Sequence, residues 1–561
     1  MDDVDAVQAQ IARNMLNSGD WVIARLDGVP YLEKSPLIYW LIAISYRIFG
    51  VHDWAARIPV ALAAILLAWV TWRYGRWAFG TLAGFCAGLA VATCVGLFLF
   101  TRIQIPDAML TLCVCAAFWS FQRALDEQEL RPRLWAALLA ACLGVGLLLK
   151  GLIAVVAPIG GVILYLALTR QLFSRAVWKR LYVFTGALII LAIAAPWHVL
   201  ATLRMPPYFN FTLHSGPGVY HGFFWFYFIN EHVLRFLNLR YPRDYNTVPR
   251  PAFWLLHLLW LFPWSAFFPA AVTGLSFKPV DRARRTRILA LCWTAFLLVF
   301  FTFSTTQEYY SMPVYPALAL LLGSAMAAES RWVRIGTRVL GIVAILAAVT
   351  IGAILFAVRS IPTPGDISSA LQQHPEAYTL SLGHLGDLTL ASFAYLRVPL
   401  LVAGIAFVIG ALGAWLLQGR RAFVALALMM VMFFHASRLA LIKFDPYLGS
   451  RPLADALLNS PAGQLILNGE YYSFSSVFFY TGRTALLLNG RVNNLEYGSY
   501  APGSPPVFIE DAQFAELWSQ PGRCYVLTDG GDVTHLTQIV GAAKLHKIAA
   551  SGGKLLLANQ P

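Results

Sequence analysis

From Trp54 to about Phe434 the chain repeats stretches such as "IPVALAAILLAWVTW", "GTLAGFCAGLAVATCVGLFLF" and "VLGIVAILAAVTIGAILFAV", each near the roughly 20 residues that a helix needs to cross hydrocarbon. A water-soluble core has no room for so many. The composition agrees, because 58% of the 561 residues are apolar and only 12% are charged, where soluble chains carry about 25% charged residues. The chain therefore reads as an integral membrane protein, an all-α polytopic bundle with about twelve spans on that length criterion.

A net charge of +14 raises the question of nucleic acid, and the placement of the basic residues answers it. They fall in alternate loops: Arg73 and Arg76; Arg123, Arg131 and Arg133; Arg170, Arg175, Lys179 and Arg180; Lys278 to Arg287; Arg331 to Arg338; Arg420 and Arg421. Short loops rich in Lys and Arg stay cytoplasmic. No nucleic-acid partner is called for, and residues 1–53 and everything after about 437 are expected outside the cytoplasm. An external N-terminus without a signal sequence leads us to expect a further spanning helix before Met1, thirteen in all; the alternative is an internal helix that carries a short tail across. Six of seven cysteines fall in spans and only Cys524 lies outside, so no disulfide framework or thiolate metal cluster is expected there.

Three regions follow. Residues 1–53 form a first external loop whose "SPLIYWLIAISYRIFG" suits a helix in the membrane interface. Residues 54–437 form the spanning domain, which includes an aromatic-rich external loop at about 198–251. From 440 to 561 short apolar runs ("QLILNG", "ALLLNG", "CYVLTDGG") alternate with helical patterns, the signature of a small external α/β domain.

Charged groups beside spans are costly unless paired or wet, so they are functional candidates. The external set comprises Asp2, Asp3, Asp5, Glu33, Lys34, Asp107, Lys150, Glu231, His232, Arg235 and Glu308. Each has a plain structural reading beside it. Asp107 follows Pro106 at a helix start, where a carboxylate suits the dipole; Lys150 suits snorkelling to the interface; Glu231 and Arg235 form an ordinary i,i+4 pair. His214 and His232, with Glu33, carry donors for a zinc-like ion, but no tight HxxxH spacing accompanies them. Taken together, cations and carboxylates beside lipid suit an anionic lipid-linked substrate, with a phosphate leaving group held by cations and a hydroxyl activated by a carboxylate. There is no GxxxxGK[ST], so the substrate must bring its own energy.

The segments "QIARNMLNSGDWVIARLDGVPYLEKSPLIYW", "IPDAML", "LLKGLIAV", "FYFINEHVLRF" and "STTQEYYSMPVYPALALL", in that order, resemble the lipid-linked GT-C glycosyltransferases, in the bacterial branch that joins protein O-mannosyltransferases and lipid A aminoarabinose transferases. The resemblance implies a bundle of about thirteen spans with a C-terminal periplasmic domain. It also implies transfer of a sugar from a polyprenyl phosphate to a hydroxyl or phosphate acceptor at the outer face of the bacterial inner membrane. Tyr31, Glu33 and Lys34 match the family's Tyr-x-Glu-Lys stretch, whose lysine meets the lipid phosphate; Asp107 matches an acid of the second external loop; Lys150, Glu231, His232 and Arg235 fall on donor-cavity positions. The chain departs from the family at its start, where an Asp-Glu pair precedes the stretch like "IARNML". Those positions are Val4 and Asp5 here, so Asp3 or Asp5 is expected to be the essential acid.

The reading that results is an inverting glycosyltransferase with a polyprenyl-phosphate sugar donor and lipid A or another glycolipid as acceptor, a protein Ser/Thr being the alternative. No cofactor is required, and a divalent ion is left open. A lipid-linked sugar flippase would place ionisable groups near the bilayer midplane on broken helices, whereas the spans here are nearly free of them. A noncatalytic sensor is the third reading.

Overall fold

A computed structural model describes all residues except 244–246, 274, 276, 329 and 373–380. The chain is a multi-pass helical membrane protein that carries a small sheet domain at its C-terminal end. Among the described residues eight helices are long and apolar enough to span, and up to ten if two bent pairs each count as one span. The apolar runs read from the sequence also include shorter helices such as Ile153–Leu168 and runs that are not one continuous helix. "GTLAGFCAGLAVATCVGLFLF" bends by 44° between Thr81–Ala92 and Val95–Thr101. Likewise "STTQEYYSMPVYPALALLLGSAM" is a 3-10 turn, Glu308–Val314, followed by a helix of only 12 residues, Tyr315–Met326.

The first helix, α1 (Asp3–Ser18), begins as an acidic segment should. Asp2 is its N-cap and accepts from the Asp5 N–H at 3.1 Å, which satisfies one of the amides that a helix start leaves unpaired. A two-stranded hairpin, β1 (Arg25–Leu26) with β2 (Val29–Pro30), then leads to α2 (Leu37–Phe49), the apolar helix anticipated at the interface. The spans α3 (Asp53–Phe79) and α4 (Thr81–Ala92) approach closely because of glycine: a Cβ on Gly84 would lie 2.4 Å from the Arg76 nitrogen. Small residues at such contacts let backbones meet where lipid supplies no hydrophobic drive.

The helices α5 (Val95–Thr101), α6 (Asp107–Leu125), α7 (Pro132–Lys150), α8 (Ile153–Leu168) and α9 (Val183–Arg204) follow. At about 1.5 Å per residue, the 19 residues of α6 carry the chain roughly 28 Å from Asp107 to Leu125. At its far end the basic loops gather: Arg123 lies 4.3 Å from the Trp135 ring, and Arg282 pairs with Asp126 at 2.8 Å.

The spanning helix Gly419–Leu448 runs past residue 437 and delivers the chain to the sheet domain. Its strands are β3 (Gln464–Asn468), β4 (Leu486–Leu488), β5 (Phe508–Ile509), β6 (Cys524–Asp529), β7 (His546–Ser551) and β8 (Lys554–Ala558), ordered β5-β4-β3-β6-β8-β7. The first four are parallel and the last two antiparallel. The sheet packs over the first loop and the π-helical segment Trp225–Leu234. Tyr31 bonds Tyr472 through their hydroxyls at 2.7 Å, and Tyr497 stacks on Phe226 at 4.2 Å.

Asp27, at the hairpin turn, belongs to this junction. It has φ +49° and accepts from the Ala485 N–H, while its second oxygen is buried without a partner among the described residues. Burial pushes its carboxyl up to about 7, against the smaller pull of that N–H. A value raised above the ordinary 3.8 means that its share of stability is full below about pH 4 and is lost as pH rises through about 7. Asp27→Asn keeps the acceptor and tolerates positive φ. It is therefore expected to raise the thermal midpoint of the detergent-solubilised protein above about pH 7 and to leave it unchanged below about pH 4. Equal midpoints for the two proteins across the range would refute the assignment.

Candidate active site

Beneath the sheet domain, at the opposite end of α6 from the basic loops, lies a cavity of about 420 Å³. Its floor is built from four separate pieces of chain. The strand-to-helix turn before α2 supplies Glu33, Lys34 and Ser35; the start of α6 supplies Asp107; the end of α7 supplies Lys150; and the π-helix with its continuation supplies Tyr227, Glu231, His232 and Arg235. Leu152, Val156, Val233 and Leu237 line it on one side and are themselves exposed on the outer surface, so the cavity opens between α8 and the π-helix towards an apolar face.

The charges form two linked groups. Asp107 Oδ1 accepts from Lys150 Nζ at 2.5 Å, and its Oδ2 is buried with no partner among the described residues. Lys150 also sits 4.9 and 4.6 Å from the rings of Tyr309 and Tyr310, close enough for cation–π attraction. In the second group Glu33 pairs with Lys34 and lies 3.8 Å from Arg235 and 3.7 Å from Arg240, while Glu231 pairs with Arg235 at 2.6 Å and with Arg240. Tyr31 donates to Glu33 at 3.0 Å. Burial alone would raise the Glu33 carboxyl; Lys34, Arg240 and Arg235 outweigh it and hold it well below the usual carboxylate range. Burial would lower Lys34, and Glu33 reverses the sign. Among the described residues Lys34, Lys150 and Arg235 line the cavity opposite Glu33, Asp107 and Glu231, with Arg240 buried behind Glu33 and Glu231.

His232 has no nitrogen to spare. Its Nε2 accepts from the Leu152 N–H at 3.1 Å, so its Nδ1 carries the proton and donates to the Tyr227 carbonyl. Burial lowers its pKa and keeps it neutral. The α7–α8 turn passes so near that a Cβ on Gly151, at φ +67°, would lie 2.2 Å from Nε2. His214 lies outside the cavity lining, in the loop that precedes the π-helix. Among the described residues no three His, Cys, Asp or Glu come together as a metal-binding group.

The structure thus gathers Glu33, Lys34, Asp107, Lys150, Glu231, His232 and Arg235, with Tyr31 immediately behind Glu33. Asp3 and Asp5 stand elsewhere. Asp3 faces the sheet domain, where its oxygens accept from the Ser476 N–H at 2.8 Å, Ser450 Oγ at 2.9 Å and Lys554 Nζ at 2.7 Å. Asp5 is buried against Arg57 Nη2 at 2.5 Å and the Gln104 N–H at 2.7 Å. Neither lines the cavity, although Asp5 braces the loop that delivers Asp107. The acidic opening "MDDVD" therefore supplies a helix cap, a latch to the sheet domain and a loop brace. The carboxylates that line the cavity are Glu33, Asp107 and Glu231, and Asp107 has one oxygen without a partner among the described residues.

Arg240 escaped the sequence reading. It lies in a loop rich in arginine, and nothing in its neighbours marks it as the one between Glu33 and Glu231. Tyr309 and Tyr310 were within a segment already singled out, but their spacing gave no hint that they flank Lys150.

Residues 33–199 match the family described as dolichyl-phosphate-mannose-protein mannosyltransferase. The undecaprenyl phosphate-alpha-4-amino-4-deoxy-L-arabinose arabinosyl transferase of Aeromonas salmonicida (strain A449) is 30% identical over 331 residues, which is 56% of this chain and 54% of the relative. A similarly named transferase of Sodalis glossinidius (strain morsitans) is 32% identical over 329 residues, with 56% and 53% covered. The chain spans about half the length of these curated relatives. Among solved structures, ArnT from Cupriavidus metallidurans bound to undecaprenyl phosphate superposes with a TM-score of 0.76 at 22% identity, covering 99% of this chain and 93% of that one. The apo form gives 0.75. At that identity the likeness is one of fold.

Proposed function

We propose that the chain is a lipid-linked glycosyltransferase like the aminoarabinose transferases it resembles, and that it transfers a sugar from a polyprenyl-phosphate donor to lipid A or a similar glycolipid at the periplasmic face of the inner membrane. The observation that supports the reading is the cavity itself: three cations, Lys34, Lys150 and Arg235, and three carboxylates meet in a pocket whose open side is apolar. An isoprenoid tail suits that side, and a phosphodiester suits the cations Lys34 and Arg235. The names of the similar transferases point to the same donor class.

In this scheme an acceptor oxygen attacks the anomeric carbon from the face opposite the phosphate. The new C–O bond forms as the anomeric C–O bond to phosphate breaks, with inversion. The electron pair leaves on polyprenyl phosphate, whose charge Lys34 and Arg235 offset. Asp107 takes the proton of an acceptor hydroxyl, and Lys150 with Tyr309 and Tyr310 fixes the carboxylate. Glu33, Glu231 and Arg240 hold the cations in place. The scheme calls on no cofactor.

Inner-membrane vesicles given labelled polyprenyl-phosphate sugar and lipid A are expected to yield labelled lipid A and free polyprenyl phosphate, and Lys34→Ala is expected to weaken donor binding by about tenfold or more, as loss of a charge-assisted contact implies. Movement of intact donor across the vesicle with no new glycosidic bond would refute the reading in favour of a flippase. Label on a protein Ser/Thr alone would replace the acceptor.

A further inference from the structure

The segment that joins α9 to the π-helix has a surface that water does not explain. From Met205 to Asn230 there is no Asp, Glu, Lys or Arg. Phe209 and Phe211 are 71% and 68% exposed, with Tyr208 and Leu213 exposed beside them. These side chains are not loose. The rings of Phe209 and Phe211 meet Phe224 edge-on at 5.1 and 5.4 Å; Trp225 donates to the Thr212 carbonyl at 2.7 Å; and Asn210 bonds the His221 ring at 2.9 Å. A loop pinned from within holds its apolar rings outward.

The surface continues an interface that is already apolar. Val199, Leu200 and Leu203, on the last turns of α9, are exposed as a lipid-facing span requires. Arg204 ends that span in a 2.7 Å pair with Asp20, a polar level beyond which soluble loops normally lose their apolar exposure. Here the exposure resumes at Tyr208. On the inner side, Phe224 contacts Phe228 at 5.3 Å, and Phe228 lies against His232 at 6.3 Å, so the same aromatic ladder reaches the cavity wall.

We infer that residues 206–219 form a lip inserted into the membrane interface on the side of the sheet domain, with Phe209 and Phe211 among the lipid acyl chains. The occupant of this surface is the bilayer. An uncharged segment continuous with a lipid-facing helix, with aromatic rings at the boundary, is the pattern of interfacial anchoring. The inference goes beyond the transfer reaction and stands without it.

Phe209→Cys and Phe211→Cys, each spin-labelled in the full chain in phospholipid nanodiscs, test it through collision with oxygen and with a water-soluble nickel chelate. The native cysteines are buried or half-buried, and the unsubstituted chain serves as the labelling blank. Glu516→Cys, exposed on the sheet domain, is the aqueous control. Both lip labels are expected about 5–10 Å inside the headgroup boundary. Labels as open to the chelate as the control would overturn the inference, as would labels shielded from both reagents, which a protein partner produces. Crosslinking of the unsubstituted chain by lipids with photoreactive acyl chains is an independent readout: adducts on residues 206–219 are expected, and adducts confined to the spans would count against the lip.

Discussion

Asp107→Asn is expected to lower sugar transfer by about 100- to 10,000-fold, the range for loss of a general base, while donor binding stays close to that of the unsubstituted protein. The amide has the same shape and still accepts from Lys150, but it cannot take a proton. Lys150 keeps its place between Tyr309 and Tyr310, and Lys34 and Arg235, which meet the phosphate, keep their own partners Glu33 and Glu231. Single-turnover transfer with labelled donor, alongside equilibrium donor binding, separates the two effects. Asp3→Asn and Asp5→Asn are the informative companions. Both residues are held in polar contacts outside the cavity, and their substitution is expected to reduce stability far more than the rate of the folded fraction. Full transfer by Asp107→Asn, together with loss in Asp3→Asn or Asp5→Asn, would return the acid's role to the first loop.

The second large effect is on folding. Arg240→Met is expected to destabilise the protein by about 3–5 kcal/mol, because it removes one partner from a buried charge group and leaves the others uncompensated. The guanidinium of Arg240 is nearly inaccessible and lies between Glu33 and Glu231. Once it is removed, Lys34 and Arg235 are the cations that face both carboxylates among the described residues. The double variant Arg240→Met with Glu231→Gln removes one stranded charge and is expected to recover part of the loss, which a thermal-unfolding series in detergent measures as coupling between the sites. If the double variant is no more stable than Arg240→Met, the carboxylates are not what the arginine serves.

The residues that were legible in advance share one property: their chemistry is unusual for their surroundings. Lys150 interrupts an apolar run, Asp107 opens one, and Glu33 with Lys34 stands just before an interfacial helix, so each was conspicuous against lipid-facing neighbours. Arg240 was hidden because a buried arginine and a surface arginine in the same loop look alike in sequence. Asp3 and Asp5 lie outside the cavity for a reason that sequence does not carry. They are acidic and external, as the chemistry asks, yet a helix start, a lysine of the last strand and Arg57 compete for the same carboxylates.

The order of residues by itself determined that the chain is a membrane bundle, which of its loops are basic and that a mixed domain follows the spans. These depend on local composition and on periods of one helix turn, and every residue contributes to them. Which carboxylate meets which cation was decided only by the tertiary structure. The partners lie far apart in the chain, Asp3 with Lys554 and Asp107 with Lys150 among them, and an ion pair acts over a few ångströms. The packing of α6 against α7, and of the sheet domain on α1, therefore placed Asp107 in the cavity and Asp3 and Asp5 outside it.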